Sequence, residues 1–351
     1  MRLLFAFIVW VSKLVHFGRW DSIDDLDRDL RTLARAYRAR SIFDLTTNAF
    51  DDPSANVTGY YATVTDYFTD TERQYSVVHN ADGAVHFGLD WGGTYSRQGF
   101  YEQARMVEAL LKEHGARDVL EVGSGKGFNA AYLAQRNPGV AFTGVELTPA
   151  HVRIATERGR NVGNLHFIEG DFHGLTPIAD RSVDVVFDVE AGCYADTPDK
   201  VRMLLSSVHR VLRPGGVFVT FDYCRADRFA VLDPRARLTV ELIERAWVIE
   251  QFVRETDWNV AAEAAGLRLA DRRDLGAAAL PSILRLYRQA RMFYVLMATP
   301  LRPVLAKLVR RSTHNAVCGM MLPYALGLGA LEYRMAILQK AEVVPGRRDT
   351  E

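Results

Sequence analysis

The stretch Asp118-Val119-Leu120-Glu121-Val122-Gly123-Ser124-Gly125-Lys126-Gly127 decides the fold class of this chain. An apolar run that contains one acid leads into a loop with glycine at every second position, and residues 129–134 then have a helical composition. This order predicts a strand, a tight turn and a helix. The turn has few side chains, so a ligand can lie against its backbone.

The glycine spacing favours one class of ligand over another. A dinucleotide-binding fingerprint needs a third glycine at position 128, which is Phe128 here. Glu121 stands just before the loop, and a carboxylate at that place repels a pyrophosphate. The pattern therefore disfavours an NAD-dependent oxidoreductase. It suits a cationic ligand such as S-adenosylmethionine (SAM), which carries an ammonium and a sulfonium.

The segment from Glu121 to Gly127 resembles motif I of the class I SAM-dependent methyltransferases. The resemblance implies an α/β, Rossmann-like fold: a seven-stranded sheet with helices on both faces, N-terminal helices and a helical insertion before the last strand. It also implies SAM as the cofactor. The residues expected to bind it in this loop are Glu121, Gly123, Ser124, Gly125 and Gly127.

Two further strand ends extend the predicted cofactor site. The second strand, 140–146, ends in Glu146 before Leu147, and an acid there can accept hydrogen bonds from both ribose hydroxyls. In the family, an aspartate at the exit of the third strand bonds the adenine amino group, and Asp171 matches that position. Phe172 is expected to flank the adenine ring.

The fourth strand, 182–190, is nearly continuous in apolar residues, which is typical of a strand buried on both faces. The sequence Glu-Ala-Gly-Cys-Tyr-Ala follows at 190–195 and resembles the Glu-Ala-Thr-Cys-His-Ala signature of sterol C-methyltransferases, with Gly192 for threonine and Tyr194 for histidine. Glu190 stands where ligands of doubly wound sheets bind. We predict that Glu190 stabilises a cation or takes the final proton; a helix-capping or cofactor-contacting acid is the alternative. Tyr194 is predicted to line the pocket, with ordinary packing as the alternative.

Two segments nearer the N-terminus resemble the same sterol enzymes. Residues 57–68, which include Tyr60 and Tyr61, resemble a paired-tyrosine helix that covers the active site, and the segment that begins at His86 resembles the His-Phe segment that follows it. The resemblance implies that both tyrosines line the pocket and that His86 is a candidate base. Ordinary core packing is the alternative for each of them.

Apolar periodicity and turn residues predict the rest of the architecture. Four segments are predicted: a helical cap at 1–95, a SAM-binding core at 96–279, a helical insertion at 280–330, and the last strand with a polar tail at 331–351. The further predicted elements are helices at 21–40 with Ser22 as N-cap, 96–114, 201–212, 230–265 and 280–312, a turn at 213–216, and strands at 217–222, 267–275 and 331–340.

Composition limits the partners. Lysine plus arginine and aspartate plus glutamate both number 43, so no general attraction to nucleic acid is expected. Three widely spaced cysteines predict neither a disulfide framework nor a metal site, and they favour a reducing, cytoplasmic location. The apolar residues 3–12 are too few to span a bilayer, which takes about 20. They predict a helix that packs on the protein or lies peripherally on a membrane. Self-association of the chain into a homo-oligomer is a further predicted interaction.

These observations favour a SAM-dependent C-methyltransferase that acts on an alkene carbon of a lipophilic isoprenoid, with a sterol side chain as the first candidate. The alternatives that keep the cofactor are a prenylated phenol or quinone, a prenyl diphosphate and an unsaturated fatty acyl chain. A nonenzymatic module that binds SAM or lipid is a further alternative. The presence of Glu121, Gly123 and Gly125 disfavours that module.

Overall fold

The computed structural model describes residues 19–45, 64–75, 79–299 and 313–342. The predicted apolar run at 3–12 and the tyrosines Tyr60 and Tyr61 lie outside the described residues. The chain forms two compact units. The first unit comprises Met1–Phe100, Tyr223–Arg254 and Leu275–Tyr333, and the second comprises Tyr101–Asp222, Glu255–Asp274 and Arg334–Glu351. The four segments predicted from the sequence stay predictions.

The second unit carries most of the sheet. Its helices are α3 (Glu102–Glu113), α4 (Phe128–Arg136), α5 (Pro149–Gly159), α6 (Pro198–Val211) and α8 (Glu255–Ala264). The strands are β1 (Asp118–Val122), β2 (Ala141–Glu146), β3 (Leu165–Glu169), β4 (Val183–Val189), β5 (Leu212–Arg225), β6 (Leu267–Asp274) and β7 (Leu331–Lys340). The last residues of β5 and the first of β7 fall in the first unit.

Within the described ranges, the seven strands form one sheet in the order β3-β2-β1-β4-β5-β7-β6. The pairs β1–β2, β2–β3, β1–β4 and β4–β5 are parallel, and β6–β7 is antiparallel. The chain order reverses between β1 and β4. Ligands of such sheets bind at the carboxyl ends of the strands beside this reversal. The predicted fold class is confirmed, and it places the glycine loop after β1 and Glu190 after β4 at the same edge.

Two predicted elements differ from the structure. Residues 213–216 do not form a separate turn, because β5 begins at Leu212 and the register against β4 shifts between Val183 and Val185. The predicted helix at 230–265 is two helices, α7 (Pro234–Trp247) and α8. It breaks because Val248 is left-handed with φ of 60° and the Glu244 carboxylate accepts the backbone N–H of Phe252 over 2.7 Å.

The first unit is helical. Its helices are α1 (Ile23–Tyr37), α2 (Val64–Gln74), α7, α9 (Gly276–Met297) and α10 (Thr313–Gly327). Ser22 caps α1 as predicted, since its hydroxyl accepts the N–H of Asp25. Residues 300–312 of the predicted insertion lie outside the described residues. Among the helices that the structure describes, none is both long enough and apolar enough to cross a membrane.

A buried carboxylate links three helices of this unit. Asp29 of α1 is fully buried. Its Oδ2 accepts the hydroxyls of Tyr287 and Tyr324 at 2.6 and 2.8 Å, and its Oδ1 accepts Nε–H of Arg291 at 2.9 Å. A buried charge is tolerated when it is paired and hydrogen-bonded in this way. The group therefore fixes α1 against α9 and α10.

Candidate functional site

The loop after β1 contains three glycines that other residues could not replace without strain. Gly123, Gly125 and Gly127 have φ values of 63°, 52° and 70°, in the left-handed region that disfavours a Cβ. A Cβ on Gly123 would lie 2.3 Å from the Cβ of Ala191, and one on Gly127 would lie 2.5 Å from Cζ of Phe167. The missing side chains therefore let the loop lie directly against the turn after β4 and against β3.

Glu146, at the end of β2, is bound to this loop. Its Oε2 accepts the backbone N–H of Gly125 at 2.9 Å, and its Oε1 accepts that of Thr148 at 2.8 Å. Burial opposes ionisation, but the interactions with His151 and Thr148 outweigh it and lower the pKa of Glu146. An ionised Glu146 thus ties the glycine loop to β2. Each carboxylate oxygen keeps capacity for another donor, so the predicted ribose contact stays a prediction.

Glu121 points inward to the helix that follows the loop. It is 3% exposed. Its Oε1 accepts the side-chain amide of Asn129 at 3.2 Å, and its Oε2 accepts the backbone N–H of Ala130 at 3.1 Å. Burial raises the pKa of Glu121 to about 8. The acid therefore satisfies donors in the first turn of α4, a role that the sequence did not predict, and its predicted contact with SAM stays a prediction.

The residues predicted to hold adenine differ in their surroundings. Phe172 is buried, and its Cδ1 would lie 3.9 Å from a Cβ on Gly123. The Asp171 side chain is 59% exposed and accepts the backbone N–H of His173 at 2.9 Å. Leu147 is exposed beyond the end of β2. The structure thus brings Phe172 to the glycine loop and leaves the Asp171 carboxylate open to solvent.

The turn after β4 carries Glu190 in a strained backbone conformation. Glu190 has φ of 56°, and its N–H donates to the carbonyl of Phe221 at 2.8 Å. Such conformations in residues other than glycine cost energy and cluster at functional sites. A 3₁₀ turn, Gly192–Tyr194, follows, and Tyr194 is half-buried. Because Ala191 contacts Gly123, the turn that carries Glu190 and Tyr194 lies against the glycine loop.

Two buried acids hold this turn, and the sequence analysis did not identify them. Asp188 Oδ1 accepts the N–H of Gly192 at 3.2 Å, and Asp222 Oδ2 accepts the N–H of Cys193 at 2.6 Å. The signal was present, because Asp188, like Asp184, interrupts a strand whose other residues are apolar. Burial and the nearby acids raise the pKa of the Cys193 thiol well above its usual range. Cys193 is therefore a protonated thiol at neutral pH.

The remaining predicted residues are placed as follows. Ser124 is buried within the glycine loop. His86 belongs to the first unit, where its Nε2 lies 2.9 Å from the carbonyl oxygen of Phe100. Burial lowers the pKa of His86 to about 4, so the ring is neutral at physiological pH. These surroundings are those of a core histidine; the role as base stays a prediction.

Comparison with known proteins shows that this chain is similar to methyltransferases. Residues 120–220 match the family described as a methyltransferase domain. The "Probable phthiotriol/phenolphthiotriol dimycocerosates methyltransferase 2" of Mycobacterium ulcerans is 33% identical over 176 residues, which is 50% of this chain and 56% of that protein. The fatty-acid O-methyltransferase of Mycolicibacterium smegmatis is 35% identical over 128 residues, 36% of this chain and 43% of that protein. The match thus spans about half the length of these curated relatives.

A solved structure extends the likeness to the whole fold. The geranyl diphosphate C-methyltransferase of Streptomyces coelicolor A3(2), solved with Mg²⁺, geranyl diphosphate and S-adenosylhomocysteine, aligns with a TM-score of 0.55. The alignment covers 83% of this chain and 99% of that one at 16% identity, which bears on the fold alone. With the sheet order and the glycine loop described above, these matches show that the chain has the class I methyltransferase fold and that residues 120–220 are similar to a methyltransferase domain.

Proposed function

We propose that this chain transfers the methyl group of SAM to an oxygen atom of a lipid acceptor. The observation that carries the proposal is the contact between Gly123 and Ala191. It puts a loop with glycine at every second position beside the turn that holds Glu190, a candidate proton acceptor. Both curated relatives described above are named for methylation of lipids.

The residues proposed to hold SAM are those of the glycine loop and its supports. The left-handed glycines leave backbone on which a ligand can lie. Glu146 is ionised and has acceptor capacity left for hydroxyl donors, and Phe172 offers a buried aromatic ring beside Gly123. SAM, when bound, supplies a methyl carbon made electrophilic by the sulfonium.

The protein's part in the transfer is to bring the acceptor into line and to receive a proton. The acceptor oxygen forms its bond to the methyl carbon as the carbon–sulfur bond breaks, and a near-attack geometry is the main requirement. A hydroxyl acceptor releases a proton during this step, and we assign it to the Glu190 carboxylate, directly or through water. A fatty carboxylate is already ionised at neutral pH, so its methylation would not depend on Glu190.

A second candidate is the alkene carbon of an isoprenoid lipid, with a sterol side chain first. The Glu190–Ala195 segment supports it through its resemblance to sterol C-methyltransferases. Attack by an alkene carbon leaves a carbocation, so Glu190 would stabilise that cation or remove the final proton. Glu190 would take part in this reaction and in the methylation of a hydroxyl, but the methyl group would end on carbon in one and on oxygen in the other.

The test uses the purified full chain and SAM with a deuterated methyl group. The acceptors are a fatty acid, a long-chain diol, a sterol with a side-chain double bond, a prenylated quinol and geranyl diphosphate. Mass spectrometry before and after saponification locates the label, because saponification removes it only from a methyl ester. Label on oxygen of the acid or diol supports the proposal, and label on a sterol or prenyl carbon selects the second candidate. Calorimetry that detects no saturable binding of S-adenosylhomocysteine would overturn both.

A further inference from the structure

Asp188 and Asp222 meet around a glycine that has no side chain to separate them. A Cβ on Gly192 would lie 3.2 Å from Oδ2 of Asp222 and 3.4 Å from both carboxylate oxygens of Asp188. Asp188 is fully buried and Asp222 is 5% exposed. The two acids therefore occupy the space that a side chain at position 192 would fill.

The strand register explains why the two acids share a face. Asp188 of β4 stands opposite Thr220 of the parallel strand β5. Successive side chains of a strand point to opposite faces, so Asp222 projects on the same face as Thr220. From there each acid reaches one backbone donor of the following turn, Asp188 that of Gly192 and Asp222 that of Cys193.

Two buried carboxyl groups that face the same backbone position cannot both ionise at low cost. The titratable groups that interact with the pair are Glu121 from β1 and Cys193 from the turn, and Glu190 acts on Cys193. The raised pKa values of Glu121 and Cys193 keep both groups largely uncharged at neutral pH. Burial and the charge of Asp222 raise the pKa of Asp188 to about 8. At neutral pH the pair consequently keeps one proton.

We propose that Asp188 and Asp222 are positioning residues, which together fix the turn that carries Glu190 and Tyr194 through the N–H groups of Gly192 and Cys193, and that the turn loosens when the pair loses its proton. The inference rests on the function proposed above, because it assigns the turn to methyl transfer. The hydrogen bonds themselves can be tested without any transfer of a methyl group.

Asp188→Asn is the informative variant. Its amide oxygen can still accept the Gly192 N–H, and the amide carries no charge at any pH. The variant therefore reproduces the protonated pair at every pH. Asp188→Ala removes the acceptor and should loosen the turn at every pH. Asp184→Asn is the matched control, since Asp184 lies on the same strand and accepts the N–H groups of Arg117 and Asp118 at the other end.

The first readout is hydrogen exchange of the Gly192 and Cys193 amides in the protein without cofactor, corrected for the intrinsic pH dependence. Between about pH 6.5 and about pH 9, we expect protection in the wild-type chain and in Asp184→Asn to fall by about tenfold. Protection in Asp188→Asn should stay constant. Equal protection at both pH values in the wild type overturns the proposal, as does the same loss in Asp188→Asn. If Asp188→Asn does not fold, Asp222→Asn replaces it with the same expectation.

The second readout is the pH profile of kcat with the acceptor found by the labelling experiment. We expect an alkaline decline near pH 8 in the wild type that Asp188→Asn lacks, whereas a purely structural role would change stability and leave the profile alone. If no acceptor is methylated, the proposed function fails but the exchange data still decide whether the pair holds the turn. If methylation occurs and the two profiles coincide, the positioning role is wrong and the methyltransferase stands.

Discussion

Gly125 donates its backbone N–H to the Glu146 carboxylate over 2.9 Å. The same carboxylate also accepts the N–H of Thr148. Glu146 therefore joins the glycine loop after β1 to the end of β2. The acid that is predicted to meet a ligand's hydroxyls therefore also shapes the loop on which the ligand is predicted to lie. Substitutions of Glu146 should consequently affect more than one contact.

Glu146→Gln should weaken binding of S-adenosylhomocysteine by at least about tenfold, a loss of about 1.4 kcal/mol. Glutamine offers one acceptor oxygen, so one of the two backbone N–H groups would face its NH₂. Calorimetry measures the affinity. Glu169→Gln is the matched control, since Glu169 pairs with Glu146 in the register of β2 and β3 but is exposed. Equal affinity in both variants would remove Glu146 from the cofactor site.

Gly123→Ala should reduce the same affinity by about ten- to a hundredfold. The left-handed conformation costs a residue with a Cβ roughly 1–2 kcal/mol, and the new methyl would lie 2.3 Å from the Cβ of Ala191. Gly139→Ala is the control, because a Cβ there has open space within 4 Å. Unchanged affinity in Gly123→Ala would show that the loop does not bind the ligand.

Glu190→Gln should lower kcat for a hydroxyl acceptor by about 10²–10⁴-fold, the usual contribution of a general base. The affinity for S-adenosylhomocysteine should stay within about twofold, since the change removes a charge and keeps the shape. Cys193→Ala, in the same turn, should retain activity because the thiol is protonated. The opposite outcome, an active Glu190→Gln and an inactive Cys193→Ala, would transfer the chemistry to the cysteine.

Glu121→Gln should change how stability depends on pH. Burial raises the pKa of Glu121 to about 8 in the folded chain, from an ordinary value of 4.5. Between these values the unfolded chain ionises the group while the folded chain keeps its proton, so this group's contribution falls as pH rises and levels off above about 8. The slope is at most about 1.4 kcal/mol per pH unit.

Urea unfolding without cofactor, from about pH 5 to about pH 8, measures this slope. We expect the free energy of unfolding of Glu121→Gln, relative to that of the wild type, to increase steadily as the pH rises. Glu157→Gln, at an exposed position of α5, is the control and should run parallel to the wild type. Parallel curves for all three chains would mean that Glu121 ionises in the folded state.

Asp29→Asn should destabilise the first unit by about 3–5 kcal/mol, the usual cost of removing one partner from a buried ion pair. The change leaves the Arg291 guanidinium without its carboxylate. Asp27→Asn is the control, because its pair with the exposed Arg31 contributes about 0.5 kcal/mol or less. Thermal unfolding of the full chain gives both values, and equal midpoints for the two variants would contradict the role of Asp29.

The parts of the fold that follow from local pattern were predictable. The glycine loop, the acid that ends β2 and the apolar run of β4 are each recognisable within a stretch of about ten residues. The strands that carry the site could therefore be predicted from the sequence. The break between α7 and α8 could not, because it depends on Glu244 accepting the N–H of Phe252 and on the left-handed Val248. A β-branched residue in that conformation gives no signal in the sequence.

The candidate site divides in the same way. Glu190 was predictable because it ends a recognisable strand, whereas Asp222 acts on Cys193 across 29 positions and requires the register of β4 and β5. The Asp29 group joins residues as far as 295 positions apart. Such pairs form only when the chain has folded, and neither the composition nor the periodicity of the sequence indicates which residues will pair.

The bare position at Gly192 has a consequence for how this protein can evolve. A threonine there, as in the sterol enzymes' signature, needs room that the Asp188 and Asp222 carboxylates now take. Positions 188, 192 and 222 should accordingly be inherited as a set. Related proteins that carry a bulkier residue at position 192 should lack the acid at position 188 or at position 222. A change at one of these positions alone should be rare among them.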